Sequence, residues 1–176
     1  FIIISNSISA QNASTPTLAK TVITVKKSIA ATATSSENYS TLKSVMEATG
    51  FKELLDGSAP FTIFAPSDKA FERLQGVSVN DLLDANDIEE LKALLGYHII
   101  AGKISASKML RALCQGEGKA EFTTIQGDII KASIDGIDIV LTDSFGNSAT
   151  IVVADSNQSN GVIHQIDGVI RPNFPQ

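Results

Sequence analysis

The chain is arranged around residues 61–74, FTIFAPSDKAFERL. The first half of this stretch, which includes Phe64, is apolar, aromatic and β-branched, as in a buried strand. Pro66 cannot donate a hydrogen bond to a neighbouring strand, so we expect the strand to end there. Ser67 stands at the N-cap position of a following helix, and Phe71 continues the buried face at helical spacing. The stretch predicts a strand that turns sharply into a short helix, and it carries no obvious chemistry.

The composition is that of an ordinary globular domain. The chain has 176 residues and 43% of them are hydrophobic, which suffices for one domain with a substantial core. The formal net charge is −5, and Lys and Arg do not cluster on any predicted face. Sequence-independent binding of nucleic acid requires such a basic cluster. We therefore expect no nucleic-acid partner. We also expect no membrane-spanning helix, because no stretch approaches the roughly 20 apolar residues that such a helix needs.

Cys114 is the only cysteine, which excludes an intramolecular disulfide and a cysteine-based zinc site within the chain. Its neighbours include Met109 and Leu113, which are apolar. This setting predicts that Cys114 is a small core residue rather than a reactive thiol.

The first 36 residues are expected to lie outside the main domain. Residues 1–10, FIIISNSISA, are typical of the end of a signal peptide with a cleavage site after Ala10. They predict a secreted, extracellular or periplasmic protein, and the alternative is a remnant of recombinant expression. Residues 11–36 are rich in Ser, Thr and Ala, which predicts a linker or a loosely attached arm.

The spacing of apolar residues changes along the predicted domain, residues 37–174. Helical spacing prevails before residue 113, interrupted by the strand at residue 61 and another at residues 97–100. From residue 121 onward the period is two, and Asp135-Gly136 signals a two-residue hairpin turn. Helices followed by strands favour an α+β domain with a mainly β core, in which helices cover one side of a curved sheet.

Three segments of the chain resemble the fasciclin-like domain family. Residues 61–74 are similar to its first signature, residues 94–102 (LLGYHIIAG) to its central Tyr-His motif, and residues 160–172 (NGVIHQIDGVIRP) to its second signature. Together they bracket most of the chain. The resemblance implies a seven-stranded β wedge or sandwich with flanking helices, in secreted or surface proteins used for cell adhesion and protein–protein contact.

His98 and His164 are the only histidines, and both fall among apolar neighbours on predicted strands. This pattern favours buried, neutral imidazoles bonded to backbone or hydroxyl groups, with pH sensing as the alternative. The resemblance implies receptor contact by Tyr97 and His98 in some animal members. It also implies a structural role for a set of motif residues: Phe64, Pro66, Ser67, Phe71, His98, His164 and Asp167.

Asp155 is a further candidate for partner binding. In some animal relatives, an Asp-Ile pair just before the second signature binds integrins, and the matching positions here are Asp155 and Ser156. Because the Ile is missing, we do not expect integrin recognition. The residues alone place Asp155 in a polar turn before a strand.

The sequence shows no pattern for catalysis or metal binding. Both Gly-x-Ser-x-Gly and the Gly-x-x-x-x-Gly-Lys-Ser/Thr phosphate loop are absent. Ser67 follows a strand and opens a helix as some nucleophiles do, but helix capping explains it better. His164 and Asp167 point to opposite faces of a strand and cannot hold one ion without a bend. We expect no enzyme activity, no metal and no cofactor.

These observations predict a non-catalytic module that binds a cell-surface or matrix protein or a glycan; the oligomeric state stays open. Such a module needs an exposed flat patch of apolar or acidic character. The alternative is a soluble binding protein for a small ligand or a polysaccharide, which needs a concave pocket with convergent polar groups.

Overall fold

The computed structural model describes residues 25–74, 79–84 and 87–172, which form a mixed sheet with helices packed against it. The helices are α1 (Ile29–Ser35), α2 (Ser40–Thr49), α3 (Phe51–Asp56), α4 (Asp68–Glu72), α5 (Val79–Asp84), α6 (Ile88–Tyr97) and α7 (Ala106–Gln115). The strands are β1 (Phe61–Pro66), β2 (Ile99–Ala101), β3 (Lys119–Thr123), β4 (Ile129–Asp135), β5 (Asp138–Thr142), β6 (Ser148–Gln158) and β7 (Gly161–Ile166). None of the helices among these residues is long and apolar enough to cross a membrane. The expected signal-peptide remnant, residues 1–10, lies outside the described residues.

The seven strands follow the order β2-β1-β7-β6-β5-β4-β3. β1 runs parallel to β7, with Phe64 opposite His164, and antiparallel to β2, with Thr62 opposite Ile100. The three segments that carry the sequence resemblance therefore meet as adjacent strands at one end of the sheet. The predicted α+β class with seven strands and flanking helices is confirmed.

The sheet nearly closes into a wedge. The amide of Ile125, just after β3, donates to the carbonyl of Ile99 in β2 over 2.9 Å, although the two strands stand at opposite ends of the strand order. The next residue, Gln126, donates its side-chain amide to the carbonyl of Lys92 in α6 at 3.0 Å. A Cβ at Gly96 would overlap Nε2 of Gln126, so a side chain there would displace the Gln126 carboxamide from this position.

Strand β1 separates two apolar cores, because successive side chains of a strand point to opposite faces. Ile63 packs in the core formed with α1, α2, α3 and α6. Phe64 packs in the second core, together with Met109 of α7 and Ile130 of β4. All six residues of β1 are buried, which explains why the strand reads as one continuous apolar run.

Helix α1 contradicts part of the predicted arm. Ile29 and Ala33 are completely buried, and the side chain of Asn160 accepts a hydrogen bond from the Ile29 amide at 2.9 Å. Residues 29–35 are therefore part of the packed domain, and the expectation of a loose arm up to residue 36 is wrong for them. The Ser, Thr and Ala content concealed the helix because alanine packs closely while adding little to an apolar pattern.

Two local predictions also differ from the structure. Cys114 is exposed rather than a core residue, because α7 directs Met109 and Leu113 inward and the next position turns away from that face. The hairpin between β4 and β5 exists, but Asp135 pairs with Asp138. The turn therefore consists of residues 136–137 and lies one residue later than predicted.

Candidate functional site

A buried histidine lies behind the irregular part of β6. His164 in β7 is completely buried, and its Nε2–H donates to the carbonyl of Ile104 at 2.8 Å. Its Nδ1 accepts the backbone N–H of Asp155 at 3.2 Å. Both ring nitrogens are thus satisfied in the neutral form, and burial lowers the pKa of His164.

Asp155 joins β6 to the start of α7. Its Oδ1 accepts the backbone N–H of Ala106, the first residue of α7, at 2.8 Å. Its backbone has a φ of 58°, a conformation that Asp and Asn tolerate better than other residues with side chains. Asp155 therefore lies inside a long strand and not in the polar turn predicted from the sequence, and one of its carboxylate oxygens is already bonded within the domain.

The pairing of β6 with β7 is irregular between Ile151 and Ser156, an interval that includes Asp155. Ile151 pairs with Ile166, Val153 with Gln165 and Ser156 with Ile163, and the register shifts in both intervals. Each interval contains one more residue in β6 than in β7. Such bulges disturb the alternation of side chains and often redirect them outward.

We define the β6 bulge segment as residues 152–154, Val-Val-Ala, all of which are exposed. Val152 and Val153 expose 52% and 50% of their surface. Three consecutive exposed apolar residues cannot occur in a regular strand with one buried face. The sequence shows only the apolar run Ile151–Ala154 and predicts half of it to be buried, so the outward orientation was missed.

Tyr97 lies in the interior, contrary to the predicted role in partner contact. It exposes 1% of its surface, and its hydroxyl donates to the carbonyl of Ile129 at 2.9 Å. Burial, reinforced by the carboxylates of Asp143 and Asp128, raises the pKa of Tyr97 to about 12. The side chain therefore remains a neutral strut between α6 and β4.

His98 is also unavailable for direct partner contact. It exposes 2% of its surface and follows the end of α6 instead of lying on a strand as predicted. Its Nδ1–H donates to the carbonyl of Leu94 at 2.8 Å, while Nε2 is buried without a hydrogen-bond partner among the described residues. Burial lowers the pKa of His98 to about 4.

Of the residues assigned a structural role, Phe64 belongs to the second apolar core and Phe71 packs against the first. The ring centroids of Phe64 and His164 are 5.8 Å apart, and Pro66 is buried at the end of β1. Ser67 occupies the N-cap position of α4, but its side chain makes no capping hydrogen bond; its carbonyl instead accepts the Phe71 amide at 3.2 Å. Asp167 accepts the Thr150 amide at 2.6 Å.

No metal or catalytic arrangement is found in the part of the chain that the structure describes. No group of three or more His, Cys, Asp or Glu side chains there could hold a metal ion. Each histidine is bonded to main-chain atoms, and no hydrogen bond among the described residues links Ser67 to either of them. The notable surface feature is therefore the exposed β6 bulge segment, which is next to the hydrogen bonds of Asp155 to Ala106 and His164.

Comparisons with known proteins give the relationship of this chain. The model of the fasciclin domain family matches residues 37–172. The chain is 33% identical to protein sll1483 of Synechocystis sp. over 140 residues, which cover 80% of this chain and 71% of that protein. It is 27% identical to the transforming growth factor-beta-induced protein ig-h3 of Sus scrofa, over 88% of this chain but 21% of that protein.

A solved structure shows the same fold. The FAS1 domain pair of the insect cell adhesion molecule Fasciclin I superposes with a TM-score of 0.71 at 19% identity, covering 82% of this chain and 51% of that one. The structural likeness and the family match over residues 37–172 agree with the three signature segments and with their meeting in one sheet. The chain belongs to the fasciclin domain family.

Proposed function

We propose that this chain is an extracellular or periplasmic, non-catalytic interaction module that takes part in cell adhesion, and that the β6 bulge segment contacts the partner. The observation that carries the proposal is the exposure of Val152 and Val153, at 52% and 50%, on a strand held within the sheet. Apolar side chains displayed together on a surface are a common feature of protein interaction sites.

The support beneath the segment favours this use. Asp155 is bonded to the N-terminal end of α7 and to His164, at 2.8 and 3.2 Å. These bonds fix the backbone that displays the valines, so little conformational entropy remains to be lost on binding. Membership of the fasciclin family and the likeness to a domain pair from a cell adhesion molecule support adhesion. The signal-like residues 1–10 support export.

A cell-binding experiment tests the proposal. The fluorescently labelled chain is added to intact cells of the producing organism, and bound label is measured by flow cytometry at increasing concentration. We expect saturable binding that falls about tenfold or more in the double variant Val152→Lys, Val153→Lys, because charges would have to be desolvated at the contact. Cells treated with protease or with periodate distinguish a protein partner from a glycan.

A control uses an exposed apolar residue outside the β6 bulge segment. Ile137 is 97% exposed in the turn between β4 and β5, and Ile137→Lys should leave cell binding unchanged. Circular dichroism checks that every variant is folded. Absence of saturable binding, or equal binding by the chain and the double variant, would contradict the proposal.

A further inference from the structure

A groove of about 480 Å³ lies between the end of α4, the start of β6 and the segment after β7. We call it the arginine groove, because Arg73 and Arg171 both line it. Its volume falls within the range of about 300–1,000 Å³ that is usual for small-molecule sites. It is a different surface from the β6 bulge segment.

Neither Arg73 nor Arg171 has an ion-pair partner among the residues that the structure describes. Neither side chain forms an ion pair or a hydrogen bond with another described residue. The chain carries 19 acidic residues against 14 basic ones, so potential partners are abundant. Two guanidinium groups left unpaired beside one groove therefore provide donors for an external anion, and the planar fork of arginine matches a carboxylate.

Hydrogen bonds hold the side of the arginine groove that the segment after β7 forms. The backbone N–H of Arg171 donates to Oδ2 of Asp143 at 2.9 Å. The same carboxylate accepts the Asn147 side-chain amide at 2.8 Å and its backbone N–H at 2.9 Å. One buried aspartate thus ties the segment after β7 to the turn before β6. Holding this wall in place reduces the entropy that is lost when a ligand enters.

The remaining lining combines polar and apolar groups. Asp167 also lines the groove, and because its Oδ1 is occupied by the Thr150 amide, its other oxygen can accept a hydroxyl. Leu74 is partly exposed and supplies most of the apolar wall, because Ala70 and Val169, which also line the groove, are buried. Hydroxyl acceptors beside an apolar wall suit a sugar ring, which has polar edges and faces of C–H groups.

We propose that the arginine groove binds a hydroxylated carboxylate, of the kind presented by the sugar acids of an acidic polysaccharide. Arg73 and Arg171 bind the carboxylate, Asp167 accepts a sugar hydroxyl and the apolar wall contacts the ring. This inference does not depend on the adhesion proposal, because it uses other residues.

Isothermal titration calorimetry with the whole chain tests the inference. The probe is trigalacturonate, an α-1,4-linked trimer of galacturonic acid, compared with maltotriose as a neutral trisaccharide and with inorganic phosphate as a simple anion. We expect saturable binding of trigalacturonate that weakens as salt is added, and at least about tenfold weaker binding of the other two probes.

Three glutamine variants locate the site. Arg73→Gln and Arg171→Gln should each weaken trigalacturonate binding about tenfold or more, because each removes a charge-assisted interaction. Arg111→Gln removes the same charge from an exposed position on α7 and should leave affinity unchanged. If Arg171→Gln does not fold, the binding measured for Arg73→Gln tests the location of the site by itself, because Arg73 is exposed.

The inference is overturned if trigalacturonate does not bind or if maltotriose or phosphate binds equally well. It is also overturned if Arg73→Gln binds like the unaltered chain, or if Arg111→Gln loses as much affinity as the groove variants. The first result would exclude the ligand class, and the variant results would exclude the location.

Discussion

At the scale of single residues, Asn160 connects three parts of the domain. Its Oδ1 accepts the Ile29 amide at 2.9 Å, and its Nδ2 donates to the carbonyls of Leu55 and Gly57, both at 2.7 Å. The side chain is buried. Because α1 begins and α3 ends at these hydrogen bonds, Asn160 holds the helical layer to the start of β7.

The variant Asn160→Ala should lower the free energy of unfolding by about 3 kcal/mol, because buried main-chain groups would lose their partners. Urea denaturation measures the change. Asn157→Ala removes an exposed asparagine with one bond at 3.0 Å, to the Asp155 carbonyl, and should change stability by less than about 0.5 kcal/mol. Equal effects of the two variants would contradict the connecting role of Asn160.

His98 makes stability depend on pH. The pKa of His98 is about 4 in the folded chain, against 6.5 for an unburied histidine. Between these pH values the imidazole is protonated in the unfolded chain but neutral in the folded chain. The contribution of the neutral His98 to the free energy of unfolding is therefore fully present above pH 6.5 and is lost as the pH falls toward 4. From pH 7 to pH 5, His98 should account for a loss of about 2 kcal/mol.

The variant His98→Asn tests this dependence, because asparagine can replace the Nδ1–H donor without titrating. Urea denaturation at several values between pH 7 and pH 5 should give a smaller loss of stability in the variant than in the unaltered chain. The same loss in both would show that His98 does not cause the dependence.

At the scale of elements, Asp155 couples the bulged strand to α7. Its Oδ1 caps the helix at Ala106 over 2.8 Å, and its carboxylate also favours the positive end of the helix dipole. Asp155→Ala should lower the free energy of unfolding by about 2 kcal/mol, through the lost cap and the strain of alanine at positive φ.

Two comparisons show whether the capping bond is responsible. Asp155→Asn keeps an acceptor oxygen and tolerates positive φ, so it should retain most of the stability. Asp138→Ala removes an exposed acid at the start of β5 and should be nearly neutral. If urea denaturation gives the same loss of stability for Asp155→Asn as for Asp155→Ala, the capping bond is not responsible.

At the scale of the whole molecule, the fold depends on the contact between β1 and β7. A side chain at Gly161 would overlap the carbonyl of Phe61 and lie 2.8 Å from Cδ1 of Ile29. Gly161→Ala should therefore lower the free energy of unfolding by at least about 3 kcal/mol, because the backbones of β1 and β7 would have to move apart to make room for the methyl group. Gly102 has a φ of +90° with nothing within 4 Å of an added Cβ.

Gly102→Ala is thus a control for backbone strain alone and should cost about 1 to 2 kcal/mol. Chemical denaturation compares the two alanine variants. A cost at Gly161 no greater than that at Gly102 would show that the close approach of the strands adds nothing to the requirement for glycine.

The sequence predicts those parts of the fold in which local pattern and tertiary setting agree. β1 is paired on both edges and buried on both faces, so its unbroken apolar run identified it. Residues 29–35 were not predicted to be a helix of the domain, because their small side chains form a buried helix without an apolar stripe. Cys114 was misplaced because apolar neighbours in sequence do not fix which face a helical residue occupies.

The candidate sites were less accessible to sequence analysis. The β6 bulge segment depends on how β6 pairs with β7, and a bulge is set by the partner strand as well as by its own residues. The arginine groove joins Arg73 and Arg171, which come from different elements. Residue patterns cannot bring such distant positions together unless the topology is known.

The parallel pairing of β1 with β7, in which Phe61 lies opposite Gly161, also bears on how the chain folds. Contacts between residues so distant in sequence slow folding, because a large loop must close before they form. During synthesis, β1 would wait with one edge unpaired until β7 had been made. This domain should therefore acquire its native structure late, and a chain truncated before β7 should aggregate instead of folding.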